Sequence, residues 1–218
     1  MLVGHFAIAF VGKSIEPRIS LGTLALAAMT SDILWPIFSI AGFEYTANQA
    51  GNNAPLDISY SHSLLMVAVW ATLFAAGYWL LRRNSRGAWI LFAAVVSHWV
   101  LDAISHKHLL APGSHTYVGL ELWNSLPATL ILEGGFWLIA LIVYLRSTKA
   151  NRRSGNYGFW PVVVVLTFIW ITNIKSGPPP PNAVIGSLIF FLLLVAWAYW
   201  MNRARSTKKS DDTCEEAD

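Results

Sequence analysis

Residues 88–106 read AWILFAAVVSHWVLDAISH, and this stretch indicates the fold more clearly than any other part of the chain. It contains no Lys, Arg or Glu, and its length is close to the ~20 residues that a helix needs to cross a bilayer. It predicts a transmembrane helix, because lipid offers no water to free backbone groups. Inside it lie His98 and Asp102, which are costly in lipid and therefore mark a functional site.

The whole chain shares this apolar character. Of its 218 residues, 55% are hydrophobic and only 12% are charged, whereas about a quarter of the residues in a soluble domain are charged. The hydrophobic runs predict an all-α, polytopic membrane bundle of about six transmembrane helices. The predicted spans are 20–41, 62–81, 88–106, 126–145, 159–175 and 183–201. Residues 1–203 therefore form a single predicted transmembrane domain.

The N-terminal apolar segment, Leu2 to Val11, is too short to cross a bilayer. A signal peptide carries its positive charge before its apolar run, but Lys13 and Arg18 follow this one. We therefore expect a retained half-helix that packs among the spans. A helix lying in the membrane interface is the alternative, although a buried His5 would be unusual there.

The basic charge of the chain indicates its orientation rather than a nucleic-acid partner. Thirteen of the fifteen Lys and Arg residues fall in four segments, namely 13–18, 82–86, 146–153 and 203–209. This one-sided excess is typical of cytoplasmic loops and predicts that both termini are cytoplasmic. Residues 204–218 are expected to form a polar, disordered cytoplasmic tail. The only cysteine, Cys214, lies there, so no intramolecular disulfide can form.

The spacing of His98 and Asp102 places both side chains on one face of a helix, since residues four apart stack. His106 follows one further turn along. Imidazole and carboxylate groups are typical ligands of zinc and related metals. The pair can therefore address one ion, and a His–Asp hydrogen bond that joins two helices is the alternative.

Other ionisable residues in the apolar segments fall at similar predicted depths. Counted at ~1.5 Å per residue from the cytoplasmic ends, these depths are roughly 12 to 20 Å. The residues concerned are His5, Asp32, His98, Asp102 and Glu133. His62 is predicted to lie nearer to the outer surface. The depths predict that these groups converge in the middle and outer half of the bilayer.

Some of these residues have simpler interpretations when taken alone. Asp32 can pair with neighbouring hydroxyl groups, but the nearby Pro36 predicts a kink that frees backbone groups and can open a cavity. His62 can be a polar residue at a helix start, and Asp57 is equally ambiguous.

The ionisable residues beyond the third span are harder to assign. Glu133 can belong to the site, or it can pair with a group on a neighbouring helix. We expect His108 and His115 to be ordinary loop histidines.

Four short motifs occur in order within residues 1–110, namely Gly4-His5, Asp32 late in a span, Ser61-His62-Ser63, and Ser97-His98 followed by Asp102. Their order resembles that of the bacterial inner-membrane metal-dependent hydrolases, a family of membrane-bound enzymes of largely unknown substrate. It is also similar to the ligand order of the zinc-dependent phospholipases C, which are soluble helical enzymes. The second likeness implies phosphoester hydrolysis by analogy alone.

Two positions depart from the motifs of that hydrolase family. A second Asp usually follows the first by two positions, where this chain has Leu34. A further His usually precedes the Ser-His-Ser motif by five positions, where this chain has Asp57. An Asp can replace a His as a ligand, but the loss of the second acid argues against a second metal.

The resemblance implies a membrane-embedded hydrolase of the bacterial inner membrane that acts on an ester or phosphoester of a lipid or lipid-linked substrate. Its cofactor would be one or two divalent ions, with zinc favoured, and the implied ligands are His5, Asp32, His62, His98 and Asp102. Glu133 and Asp57 are the catalytic candidates. A bound metal lowers the pKa of water toward ~7 and polarises the substrate oxygen, and a protein carboxylate can take the proton.

Three other classes of protein would use the same residues differently. A proton- or cation-coupled transporter would employ the His/Asp cluster as a relay, but the sequence lacks the inverted repeat common in such carriers. A haem protein would need two axial histidines such as His62 and His98, whose predicted depths differ by about 14 Å. A structural scaffold would only pair these groups with one another.

Overall fold

The computed structural model describes residues 2–44, 58–114, 116–151, 153–174 and 183–208. Helices dominate these residues. They are α1 (Leu2–Ile15), α2 (Leu21–Ala28), α3 (Thr30–Ile40), α4 (Ser59–His62), α5 (Leu64–Arg82), α6 (Ser85–Ser105), α7 (Leu126–Thr129), α8 (Gly135–Ser147), α9 (Arg153–Tyr157), α10 (Phe159–Asn173) and α11 (Val184–Ala204). A 3₁₀ turn covers Leu122–Asn124, and a π-helical turn, Leu130–Gly134, joins α7 to α8.

The described helices match the predicted membrane bundle. Five of them are long and apolar enough to cross a membrane, counting α7 to α8 and α9 to α10 as continuous rods. The pair α2 and α3 makes a sixth span if it is taken as one helix bent by 57°. The prediction of an all-α bundle with about six spans is therefore confirmed.

Helix α1 lies at the centre of the bundle, where it contacts α2, α6, α8 and α10. Val3, Phe6 and Phe10 are fully buried. The Phe10 ring lies 4.5 Å from that of Tyr144 and 5.8 Å from that of Phe159. The predicted half-helix is therefore confirmed, and the alternative of an interfacial helix is wrong because α1 packs among four other helices.

Helix α5 is the most peripheral of the long helices and packs mainly on α6. Only Val67 and Ala71 along its length are buried, whereas Leu73 and Leu81 are exposed by 58% and 84%. A helix that is apolar all round while largely exposed is typical of a lipid-facing span.

Polar side chains cap the helices that carry the candidate site. The Ser63 hydroxyl accepts from the Met66 N–H at the start of α5. The side-chain oxygen of Asn84 accepts from the Gly87 N–H at the start of α6. Such caps satisfy N–H groups that have no partner within the helix. Arg83 turns the chain between these two helices with a left-handed φ of 52°.

The bend between α2 and α3 lies at Met29, not at Pro36 as the sequence analysis predicts. Pro36 is buried inside α3, which continues through it. A membrane helix tolerates proline when neighbouring groups satisfy the freed backbone. The actual break leaves the Ala28 carbonyl at a helix end, and a histidine of α6 binds it, as described below.

Two short antiparallel pairs of strands lie at helix ends. Strands β1 (His108–Leu109) and β2 (Tyr117–Val118) pair after α6. Strands β3 (Thr148–Ala150) and β4 (Arg205–Thr207) tie the end of α8 to the end of α11. The predicted tail begins at residue 204, but ordered structure continues through β4, and residues 209–218 lie outside the described part of the chain.

Candidate metal centre

Four helices bring the five predicted metal ligands into one cluster. His98 and Asp102 lie one turn apart on α6 and are 1% and 4% exposed. His5 comes from α1, Asp32 from α3 and His62 from α4. Nε2 of His98 lies 3.3 Å from Oδ2 of Asp102 and 3.8 Å from Oδ1 of Asp32. The structure therefore brings the five residues together, while their role as metal ligands stays a prediction.

Three overlapping groups of this region can hold a metal ion, because the ligand atoms of each group lie within 4.8 Å of one another. The groups are His5 with Asp32 and His98, His62 with His98 and Asp102, and Asp102 with His106 and His108. The first two contain only residues that the sequence analysis selects.

His98 presents a lone pair to the cluster. Its Nδ1 donates to the carbonyl oxygen of Ala28 at 2.9 Å, since a carbonyl can only accept. In the neutral ring, Nε2 then carries the lone pair and faces the carboxylates of Asp32 and Asp102. This buried nitrogen has no hydrogen-bond partner among the described residues. A nitrogen that faces two carboxylates at these distances calls for a proton or a metal ion between them, and the donor set fits a metal ion.

The His5 ring stacks on that of His98, with centroids 3.7 Å apart and an interplanar angle of 7°. Nε2 of His5 lies 3.1 Å from Oδ1 of Asp102, so the two stacked rings contact different oxygens of one carboxylate. Protons on all four ring nitrogens would place two positive charges in van der Waals contact. One shared cation or proton is therefore easier to accommodate than two imidazolium ions.

A buried relay orients His62. Both oxygens of the Glu44 carboxylate accept from Ser61, one from the backbone N–H at 2.6 Å and one from the hydroxyl at 2.8 Å. Because the hydroxyl proton goes to Glu44, the Ser61 oxygen accepts from Nδ1 of His62 at 2.7 Å. Nε2 of His62 then faces Oδ1 of Asp32 at 3.8 Å. Such outer partners commonly orient metal-binding histidines.

The prediction that His108 is an ordinary loop histidine is wrong. The side chain is only 3% exposed, and its Nε2 lies 2.7 Å from Nε2 of His106 and 3.7 Å from Oδ2 of Asp102. Burial lowers the pKa of His108 to about 3 and also lowers the pKa of His106. Both rings are therefore neutral at pH 7, which is the form of imidazole that binds metals.

Glu133 lies in the π-helical turn between α7 and α8 and is 2% exposed. One of its carboxylate oxygens accepts from the indole N–H of Trp123, and the other accepts from Trp170 at 2.7 Å. The Trp123 ring stacks on His106 with centroids 4.8 Å apart. Glu133 therefore reaches the cluster through Trp123, and its predicted catalytic role stays a prediction.

Two residues named in the sequence analysis cannot be placed. Asp57, a catalytic candidate, and His115 lie outside the described residues. Conversely, sequence reasoning missed Glu44 as a partner of Ser61, because no spacing rule connects two residues that are seventeen positions apart. It missed His108 because the burial of that residue depends on the pairing of β1 with β2.

A cavity of about 290 Å³ adjoins the cluster. Its lining includes His62, His106, His108, Lys107 and Tyr117. Three imidazole groups of the region are therefore accessible from this cavity, whereas His5 and His98 lie deeper.

Comparisons with known proteins do not add to this description. No family model, no curated protein and no solved structure matches the chain. The chain is therefore characterised by the geometry of its buried His/Asp cluster, a candidate metal centre within a bundle of apolar helices.

Proposed function

We propose that the protein is a membrane-embedded, metal-dependent hydrolase. The observation that carries the proposal is the Nε2 atom of His98, which is buried and directed at two carboxylates. His5, Asp32, His62 and Asp102 surround the same space from three other helices and from α6 itself. A combination of imidazole and carboxylate donors suits zinc and other borderline divalent ions.

Different residues would bind the ion and accept the proton at such a site. His98 and His62 would bind the ion through nitrogens whose tautomers are set by Ala28 and Ser61. A divalent ion at this place would polarise a phosphoryl or acyl oxygen and lower the pKa of water. Asp32 is the more exposed of the two carboxylates, with 20% of its side chain accessible against 5% for Asp102. We assign Asp32 the acceptance of the proton.

Glu133 has a different role in this proposal. Both of its oxygens are occupied by indole N–H groups, so it holds Trp123 against His106 and acts as a positioning residue.

The surroundings of the site support a lipid or lipid-linked ester or phosphoester as substrate. His98 and Asp102 lie on α6, which is long and apolar enough to cross a membrane, and Asp32 lies on α3, which qualifies together with α2. The cavity beside it carries Lys107 and Tyr117, which can bind the polar head of such a molecule. The site would therefore meet its substrate at the membrane surface.

The metal content of the purified protein tests the proposal. Full-length protein in detergent should contain at least one equivalent of a transition metal by elemental analysis. The double variant His98→Ala/Asp102→Asn should lose it, because both groups contact the proposed ion. Ser97→Ala is the matched control on the same helix, since the Ser97 hydroxyl donates to the Ala94 carbonyl. Metal-free wild type, or equal metal content in the double variant, would refute the proposal.

A proton- or cation-coupled transporter is the second candidate, and the continuity of the cluster favours it. Imidazole and carboxylate groups follow one another from His5 through Asp102 and His98 to Asp32 and His62, each within 3.8 Å of the next. Such chains relay protons in transporters. Proton flux into proteoliposomes that is lost in Asp32→Asn would favour this function, and its absence would favour the hydrolase.

A further inference from the structure

We propose that Asp102, His106 and His108 form a second site for a divalent transition metal, which we call the outer subsite. It extends the proposed function, because Asp102 would contact both ions. His106 and His108 themselves take no part in the inner centre of His5, Asp32, His62 and His98. Two of its three residues, His106 and His108, line the cavity.

The geometry brings three donor atoms together. Nε2 of His106 and Nε2 of His108 lie 2.7 Å apart, and Nε2 of His108 lies 3.7 Å from Oδ2 of Asp102. The donor atoms of the three residues all lie within 4.8 Å of one another. Asp102 and His108 are only 4% and 3% exposed. Two imidazoles and one carboxylate are the protein ligands of many catalytic zinc sites, which keep a fourth position open.

The other ring nitrogen of His106 has an unusual environment. Nδ1 of His106 is buried and has no hydrogen-bond partner in the described part of the chain. An N–H···N bond between the two rings accounts for one proton and leaves this nitrogen unsatisfied. Unsatisfied buried polar atoms are rare and call for an explanation. An ion bound at Nε2 would leave Nδ1 as it is, so the outer subsite depends on the three donor atoms described above.

The backbone holds the two histidines rigidly. The His106 N–H donates to the Asp102 carbonyl at 2.8 Å at the end of α6. The pairing of β1 with β2 then turns His108 back toward the helix. Gly119 packs against this turn so closely that a Cβ there would lie 2.2 Å from the His106 carbonyl oxygen. The subsite is therefore preorganised by main-chain contacts rather than by flexible side chains.

The position of the subsite suggests its role. His106 and His108 both line the cavity of about 290 Å³, together with Lys107. An ion held there would present its open position to this space. The outer ion would therefore bind an anionic oxygen of the substrate, while the inner ion lies in the more deeply buried part of the cluster.

The stoichiometry of Zn²⁺ binding by the full-length protein in detergent tests the outer subsite. Wild type should bind two equivalents of Zn²⁺. His106→Ala and His108→Ala should each keep one and bind the second at least roughly 100-fold more weakly, since even outer partners of ligands are worth 10- to 100-fold. Lys107→Ala is the matched control, because it lies between the two histidines and lines the same cavity but should leave both equivalents in place.

The outcomes separate this inference from the proposed function. If wild type binds one equivalent and both histidine variants bind it equally well, the outer subsite is overturned while the inner centre stands. If wild type binds no transition metal, both proposals fail.

A measurement on the wild type alone covers the case in which the alanine variants do not fold. In protein loaded with two equivalents of Mn²⁺, the shared Asp102 carboxylate should couple the two ions and broaden their electron paramagnetic resonance signal. A spectrum of uncoupled Mn²⁺ at every loading would overturn the outer subsite.

Discussion

In both His62 and His98 the Nδ1 atom donates a hydrogen bond, but the two acceptors differ. The Ala28 carbonyl accepts from Nδ1 of His98, and the Ser61 hydroxyl accepts from Nδ1 of His62. In both cases the other ring nitrogen, Nε2, lies 3.8 Å from Oδ1 of Asp32. Because both Nδ1 acceptors come from outside the cluster, the donor set is arranged before any ligand arrives, which lowers the cost of binding.

Removal of the Ser61 hydroxyl tests this arrangement. Ser61→Ala breaks the link between Glu44 and His62 and should weaken metal binding by roughly 10- to 100-fold without removing a ligand. Competition with a chromophoric chelator measures the affinity. Ser61→Thr keeps a hydroxyl and should restore the affinity, whereas equal affinity in wild type and Ser61→Ala would contradict the relay.

The cluster could be predicted only in part from single residues. His5, His98 and Asp102 stand out because ionisable groups are rare in apolar segments. Glu44 and His108 do not, because each acquires its partners through the fold, Glu44 from Ser61 and His108 from the strand pair after α6. Residue type and depth therefore identify the centre of the site better than its outer contacts.

At the scale of elements, the π-helical turn Leu130–Gly134 explains the position of Glu133. Such turns insert a residue into a helix and are frequent at functional sites. Here the turn directs one carboxylate at two indole groups on different elements, Trp123 before α7 and Trp170 on α10.

Glu133→Gln should destabilise the protein. The amide has one acceptor oxygen where the carboxylate has two, so one part-buried indole N–H loses its partner, at a cost of about 1–3 kcal/mol. The free energy of unfolding in mixed micelles measures the effect. Glu121→Gln is the control, because the Glu121 pair with Lys107 is exposed and should be worth less than ~1 kcal/mol. Equal losses in the two variants would argue against the special position of Glu133.

The contact between α2 and α11 depends on Gly22. A Cβ at this position would lie 2.2 Å from Cγ of Tyr199, at the root of the ring where the side chain cannot move aside. Gly22→Ala should therefore force the helices apart and destabilise the bundle by about 1–3 kcal/mol.

The matched control is Gly186→Ala on α11, where a Cβ meets nothing within 4 Å. This change should be neutral or stabilising by up to ~1 kcal/mol, because alanine favours helix over glycine. Thermal unfolding of both variants in the same detergent distinguishes them. A Gly22→Ala variant as stable as Gly186→Ala would show that the helices do not pack as described.

The position of the break in the second apolar segment illustrates the limit of prediction at this scale. Pro36 predicts a kink by local chemistry, but the chain bends seven residues earlier. At this bend the Ala28 carbonyl accepts a hydrogen bond from His98, which belongs to another helix. Helix lengths follow from local composition, whereas the direction of a helix depends on its neighbours.

At the scale of the whole molecule, the positive residues predict the orientation in the membrane. Cys214 should react with an impermeant maleimide only from the cytoplasmic face, in inverted vesicles and not in intact cells. In a Cys214→Ser background, Lys107→Cys should show the opposite pattern, because the side chain of Lys107 is 54% exposed at the other end of α6. Labelling of both positions from the same side would overturn the predicted topology.

The number of spans could be predicted because it follows from the lengths of the apolar segments. The packing of α1 among the spans could be predicted because a buried His5 would be unusual in a helix that lies in the membrane interface. The number of helices in the bundle is therefore easier to predict than the bends between them.

The hydrogen bond between His98 and the Ala28 carbonyl couples two features of the fold. The bend between α2 and α3 exposes the carbonyl, and the carbonyl in turn fixes the orientation of the His98 ring on α6. Were α2 and α3 to straighten, that oxygen would return to the hydrogen-bond ladder of its own helix, and the imidazole would be free to rotate. A bilayer whose thickness favours a longer, straighter segment would thereby oppose the occupied centre. Through this one contact, membrane thickness would influence how tightly the proposed centre binds a cation.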